Sequence, residues 1–174
     1  KKGVCGIGPI TQIDVTDHAV KLAGEVKNFS TEGIIEKKEA RRMERFSQLA
    51  LVSAVEAFNQ SGLDMEKEDA LRCGVVFSSG IGGLNCTENN YKTGQRRGFD
   101  KISPFYIPNT IPNMARGNIA IRLGFKGMCT CVVTACASGN NAVGDAFHYI
   151  RDGYAEVMLC GGTESCITDM GIGG

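Results

Sequence analysis

The run Val132-Val133-Thr134-Ala135-Cys136-Ala137-Ser138-Gly139 constrains this chain more than any other stretch. A β-branched apolar segment leads into a cysteine, then into small residues, then into a stretch with helical patterning. That order presents a thiol at a strand-to-helix turn. The helix that follows aims its unpaired N–H groups toward the sulfur, and a helix N-terminus favours thiolate over thiol. Thiolate is the form that attacks acyl groups. Ala135, Ala137, Ser138 and Gly139 are small, so backbone and substrate can approach closely. Cys136 therefore reads as a nucleophile.

The competing reading is packing, the ordinary role of a cysteine in an apolar strand. The chain holds 8 cysteines, and Cys73, Cys129, Cys131 and Cys160 lie in or beside apolar strand-like runs and read as core. Cys129-Thr130-Cys131 is C-x-C, and no second pair stands at ligand spacing, so no metal site is expected. The even count does not by itself imply disulfides in a chain of 174 residues, long enough to bury its own core.

A content of 43% hydrophobic and 22% charged residues is that of an ordinary globular protein. Lys+Arg and Asp+Glu both number 19, so the charge balance points to neither nucleic acid nor a membrane surface. No apolar run approaches the ~20 residues of a membrane span, and no signal peptide opens the chain. A reducing, cytoplasmic compartment is expected. The chain opens on Lys1-Lys2-Gly3-Val4 and stops at Gly171-Ile172-Gly173-Gly174, and both ends read as cuts, so a fragment is expected.

Residues 1–35 are mixed, with short strand-like pieces such as 19–26. The 3.6-residue period of Met43, Phe46, Leu49, Ala50, Val52, Ala54, Val55, Ala57 and Phe58 predicts a helix over 37–61, stopped at Gly62. Residues 73–77 predict a buried strand. The loop Ser78-Ser79-Gly80-Ile81-Gly82-Gly83 follows it, but neither G-x-G-x-x-G nor a Gly-Lys-Ser/Thr is present. Close backbone approach, to another chain or an acyl group, is expected there. A partly helical stretch at 84–98, a Pro-punctuated loop, a helix near 110–123, a strand at 129–134, a helix at 140–152 and a strand at 156–160 complete the pattern. Strands alternating with helices predict a layered α/β fold.

A cysteine nucleophile normally has a base or cationic partner. There are only 2 histidines. His148 lies 12 residues beyond Cys136 on the same predicted helix, about 18 Å along its axis. His18 sits in a polar stretch without a motif. Either the helix dipole alone activates Cys136, or its partners lie outside these residues.

Six segments in order carry a resemblance. Val133-Thr134-Ala135-Cys136-Ala137-Ser138-Gly139, with Ala142-Val143-Gly144-Asp145-Ala146 behind it, resembles the active-site segment of the 3-oxoacyl-[acyl-carrier-protein] synthases, the decarboxylating condensing enzymes of fatty-acid and polyketide synthesis. Gly80-Ile81-Gly82-Gly83-Leu84 resembles that family's acyl-pocket loop, and Lys101-Ile102-Ser103-Pro104-Phe105-Tyr106-Ile107-Pro108 its segment near the dimer interface. Asn113-Met114-Ala115, Gly124-Phe125-Lys126-Gly127 and Val157-Met158-Leu159-Cys160-Gly161-Gly162-Thr163-Glu164 complete the likeness, which is to the elongating type 2 enzyme and covers nearly the whole chain.

The resemblance implies a thiolase-like fold of two similar halves in five αβαβα layers, with residues 1–174 most of the amino-terminal half. It implies a homodimer with the nucleophile-side strand near the twofold axis. It makes Cys136 the acylated residue, with its own amide as one oxyanion donor. Ile81 would line the acyl pocket, and Tyr106 would approach the pocket of the partner subunit. Lys38, Arg41, Arg42 and Lys101 would meet the acidic acyl-carrier protein, although apart from the resemblance a solvated helix start is the favoured reading of the first three. No cofactor is implied, because the acyl group arrives on the phosphopantetheine arm of the carrier. The family's two catalytic histidines, its lysine and its second oxyanion donor have no counterpart in these residues, so the chain alone is expected to be inactive.

Three rivals stay open. A thiolase has different sequence around its cysteine. A non-catalytic subunit that binds carrier protein would lack the two histidines in the full-length chain. An initiating synthase using acyl-coenzyme A pairs cysteine with histidine and asparagine. An isolated half would also expose the apolar face meant for its twin, so poor solubility is expected of it.

Overall fold

The computed structural model describes residues 2–174. An antiparallel hairpin of β1 (Ile7–Pro9) and β2 (Leu22–Gly24) comes first. The Glu25 carboxylate closes it by accepting hydrogen bonds from the Thr11 amide and hydroxyl, both at 2.8 Å.

The helix predicted over 37–61 is broken into α1 (Lys37–Ala40) and α2 (Arg45–Ser61). The break is stabilised by Gln48, whose Nε2 donates to the carbonyls of Ala40 at 2.8 Å and Met43 at 2.9 Å. The Ala40 carbonyl also accepts from the Met43 amide at 3.2 Å, which closes the turn between the two helices. Gly62, with φ of 71°, ends α2 in the left-handed conformation.

The buried strand β3 (Cys73–Ser78) is the centre of a parallel sheet ordered β4-β3-β5, with β4 (Cys129–Thr130) and β5 (Val157–Gly162) on its flanks. Between β3 and β4 lie α3 (Leu84–Arg97), α4 (Tyr106–Thr110) and α5 (Met114–Leu123). The helix expected near 110–123 is α5, which starts about one turn later, and α4 lies within the Pro-punctuated stretch read as a loop. After β4 come α6 (Ser138–Arg151) and, beyond β5, α7 (Asp169–Gly173).

Successive strand residues point to opposite faces. Cys73, Val75 and Phe77 therefore pack with Phe46, Ala50 and Leu51 of α2 and Ile119 of α5. Gly74, Val76 and Ser78 face the other way, toward α6, whose Ala142 and Ala146 are buried. The chain thus builds a helix–sheet–helix stack. On its outer side α6 leaves Val143, Phe147 and Ile150 exposed, an apolar stripe of the kind expected from the sequence.

The strand expected over 129–134 pairs with β3 only at Cys129–Thr130. Farther on, the Thr134 amide donates to Ser138 Oγ and its carbonyl accepts from the Ala137 amide. The polar groups that could have extended the ladder are used to make a turn.

Candidate active site

That turn carries Cys136. Ala135 has φ of 50°, a left-handed conformation that costs a non-glycine residue about 1–2 kcal/mol. Ser138 holds it there. Its buried hydroxyl accepts from the Thr134 amide at 2.9 Å and donates to the Ala135 carbonyl at 2.7 Å. The clamp presents Cys136 two residues ahead of α6, exposed, at the positive end of that helix's dipole.

Contacts between small residues bring α6 to the carboxyl end of the sheet. A Cβ on Gly162 would stand 2.9 Å from the Gly139 Cα, so helix start and strand end meet backbone to backbone. A Cβ on Gly80 would stand 3.0 Å from Glu164 Oε2 and 3.2 Å from the Ala135 carbonyl. The segments 78–81, 135–140 and 162–166 enclose a cavity of about 630 Å³, into which Cys136, Ile81, Asn140, Glu164 and Cys166 face.

Among the cysteines, only Cys5 and Cys136 are exposed. Burial pushes the thiols of Cys73, Cys86, Cys160 and Cys166 up, which keeps them neutral. For Cys166 the charges of Glu164 and Cys136 add to the same effect. Of the four cysteines read as core, Cys73 is buried, whereas Cys129, Cys131 and Cys160 are half-buried. Cys86, which no strand pattern marked, is buried on α3.

Ile81 and Cys136 line the same cavity. Tyr106, at the start of α4, is half-buried and is not part of the wall around Cys136 in its own chain. Neither histidine reaches the thiol. His148 lies in the last turn of α6, and His18 faces Asp169 at 3.6 Å. The glycines of the 78–83 loop do serve a close approach, but to this chain's own backbone. Cβ atoms at Gly82 and Gly83 would collide with the carbonyls of Thr110 and Asn109.

The basic positions gather in part. Arg42 stacks on Phe105, with its guanidinium 5.4 Å from the ring centre. This joins the 38–42 turn to the segment that carries Lys101, itself paired with Asp100 at 2.9 Å. Lys38, Arg41 and Arg42 are exposed and form no ion pair among the described residues.

Two residues of the site were not singled out from sequence. One is Ser138 as the clamp of the turn. The other is Glu164, whose Oε1 accepts from the Ser79 hydroxyl at 3.1 Å, and whose Oε2 accepts from the amides of Gly80 at 2.9 Å and Ile81 at 3.2 Å. A serine opening a helix could have flagged the first. Nothing local flags the second, because its partners lie 83 to 85 residues away.

A thiol stands at a strained turn, ahead of a helix and over an open cavity at the strand ends of a layered α/β fold. The family model described as Beta-ketoacyl synthase, N-terminal domain, matches residues 1–174, and the chain belongs to that family. It is 49% identical over 173 residues to a 3-oxoacyl-[acyl-carrier-protein] synthase 2 of Staphylococcus aureus, covering 99% of this chain and 43% of the relative. The namesake from Synechocystis is 44% identical over 173 residues, and 42% of it is covered. The chain therefore spans less than half the length of these curated relatives.

Among solved structures, the ishigamide ketosynthase/chain length factor superposes with a TM-score of 0.81 at 26% identity, over 95% of this chain and 41% of that one. A ketosynthase in complex with a type II acyl-carrier protein superposes with a TM-score of 0.76 at 26% identity, over 83% of this chain and 42% of that one. The fold is thiolase-like, as in these ketosynthases.

Proposed function

We propose that the protein containing this chain is a 3-oxoacyl-[acyl-carrier-protein] synthase of fatty-acid elongation. The Cys136 thiolate attacks the thioester of an acyl-carrier protein, forming acyl-cysteine and releasing the carrier's phosphopantetheine thiol. Malonyl-carrier protein then loses carbon dioxide, and its carbanion attacks the acyl carbonyl. A carbon–carbon bond forms, the carbon–sulfur bond breaks, and Cys136 leaves as thiolate. The observation that carries the reading is Cys136 itself, exposed ahead of α6 in a cavity whose other thiol, Cys166, is held neutral.

The Cys136 amide serves as one oxyanion donor. The second donor, the two histidines and the lysine belong to the part of the protein outside these residues, as does the remainder of the layered fold that completes residues 1–174. The exposed Lys38, Arg41 and Arg42, with Lys101 across the Arg42–Phe105 stack, dock the acidic carrier. The protein acts as a cytoplasmic homodimer, with Tyr106 reaching the pocket of the partner subunit, and needs no cofactor of its own.

Intact mass of the full-length protein after incubation with acyl-carrier protein tests this. The wild type is expected to gain one acyl group and Cys136→Ala none. Carrier binding without an adduct in the wild type would leave the non-catalytic reading instead.

A further inference from the structure

The loop that presents Ile81 to the cavity is held along most of its length by its own neighbours. Ser78 is buried at the end of β3, and its carbonyl accepts from the Thr163 amide at 2.9 Å. The Gly82 amide donates to Ser79 Oγ at 2.9 Å, and the Gly83 amide to the Thr110 carbonyl at 3.0 Å. Between these anchors stand Gly80 and Ile81, whose amides have one acceptor, Glu164 Oε2. The other carboxylate oxygen accepts a hydrogen bond from the Ser79 hydroxyl.

Glu164 is itself fixed from behind. Thr163 donates its amide to Ser78 and its hydroxyl to the Phe46 carbonyl at 2.8 Å, which ties the turn after β5 to the start of α2. Hydrogen bonds to an ionised acceptor are stronger than neutral ones. A single carboxylate thus sets the path of the two residues that face the thiol. The Ile81 side chain, 51% exposed, has no comparable hold of its own.

We propose that Glu164 is the positioning residue that sets acyl-chain selection, by holding the 79–81 backbone so that Ile81 forms a fixed wall beside Cys136. The inference rests on the condensing-enzyme reading for its substrate class, straight-chain acyl thioesters. Without Glu164 the wall moves, and the discrimination between short and long chains flattens. Glutamine preserves much of the arrangement. Its carbonyl can accept from Gly80 and Ile81 while its amide donates to Ser79 Oγ.

Two readouts on the full-length protein test this. In the first, single-turnover acylation of Cys136 is followed with carrier-bound acyl groups of increasing length. The ratio between best and worst chain is expected to fall about tenfold in Glu164→Ala, the scale of losing a hydrogen bond to a charged group. In Glu164→Gln it should stay near the wild-type ratio. A merely structural role would slow all chains alike and leave the ratio intact, and that result would overturn the proposal.

The second readout needs no carrier and no turnover. Alkylation of Cys136 by N-alkylmaleimides of increasing length is measured beside hydrogen exchange at the Gly80 and Ile81 amides. Faster exchange and flattened length dependence in Glu164→Ala support the positioning role even if the wild type takes no acyl group, which would sink the condensing-enzyme reading alone. Unchanged exchange and unchanged length dependence overturn the role of Glu164 whatever the enzyme proves to do.

Discussion

The two faces of β3 are both buried, yet they are built from different residues. Toward α2 and α5, large side chains meet: Val75 and Phe77 against Phe46, Leu51 and Ile119. Toward α6 the strand offers one large side chain, Val76, between Gly74 and Ser78, and the helix answers with Gly139, Ala142 and Ala146. Large side chains supply buried apolar area, which stabilises the fold. Small ones supply little area but permit close approach, and that approach carries the start of α6 and Cys136 to the strand ends. One strand divides stability and site between its odd and even positions.

The comparison breaks most visibly under Leu51→Ala, at a fully buried position on the large-residue face. Urea denaturation of the full-length protein is expected to show a loss of about 2–5 kcal/mol. Acylation of Cys136 per folded molecule should be unchanged. A parallel fall in acylation would mean that the faces are coupled.

Gly162→Ala tests the other face. Its Cβ would stand 2.9 Å from the Gly139 Cα, where neither backbone has a flexible end to move. Overpacking of this kind costs about 1–3 kcal/mol. Acylation is expected to slow by about tenfold or more as the helix start shifts. Wild-type acylation in this variant would show that the thiol tolerates displacement.

The smallest effect sharpens the comparison from outside both faces, at Glu44, the residue ahead of α2. Burial pushes the Glu44 carboxyl up, against opposing help from Asn85 and Arg45, and its Oε1 is buried without a partner. A raised carboxyl binds its proton more tightly in the folded state. Stability is therefore greatest below the ordinary Glu range and falls as pH rises through the raised value. Glu44→Gln should remove that slope. Thermal melting is expected to show a gain of about 1–3 °C at neutral pH, small because the group is partly exposed, and none in acid. A gain that persists in acid would trace the effect to packing rather than charge.

How much of this could be read from sequence depended on range. α2 and β3 were legible because a 3.6-residue period ending at Gly62 and a short apolar run are local patterns. The break between α1 and α2 was not, because it is held by the Gln48 side chain reaching back to the carbonyls of Ala40 and Met43. The shortness of β4 was hidden for a similar reason. Val132 and Val133 have strand propensity, but Ser138 uses the Thr134 amide for the turn. Ile81 was legible only through the resemblance, and the structure places it on the cavity wall.

The sequence by itself determined that a small-residue turn would set a cysteine at the start of a helix after an apolar segment. Neighbouring residues along one chain suffice to encode a turn, a helix start and the dipole that faces the thiol. Only the tertiary structure decided what surrounds that thiol. It folded the 78–81 loop and the 162–166 turn onto it through glycine contacts, and it made the Glu164 carboxylate the hold on Ile81. Such groups are distant in sequence and meet through backbone amides, which every residue carries, so no side-chain pattern announces the meeting.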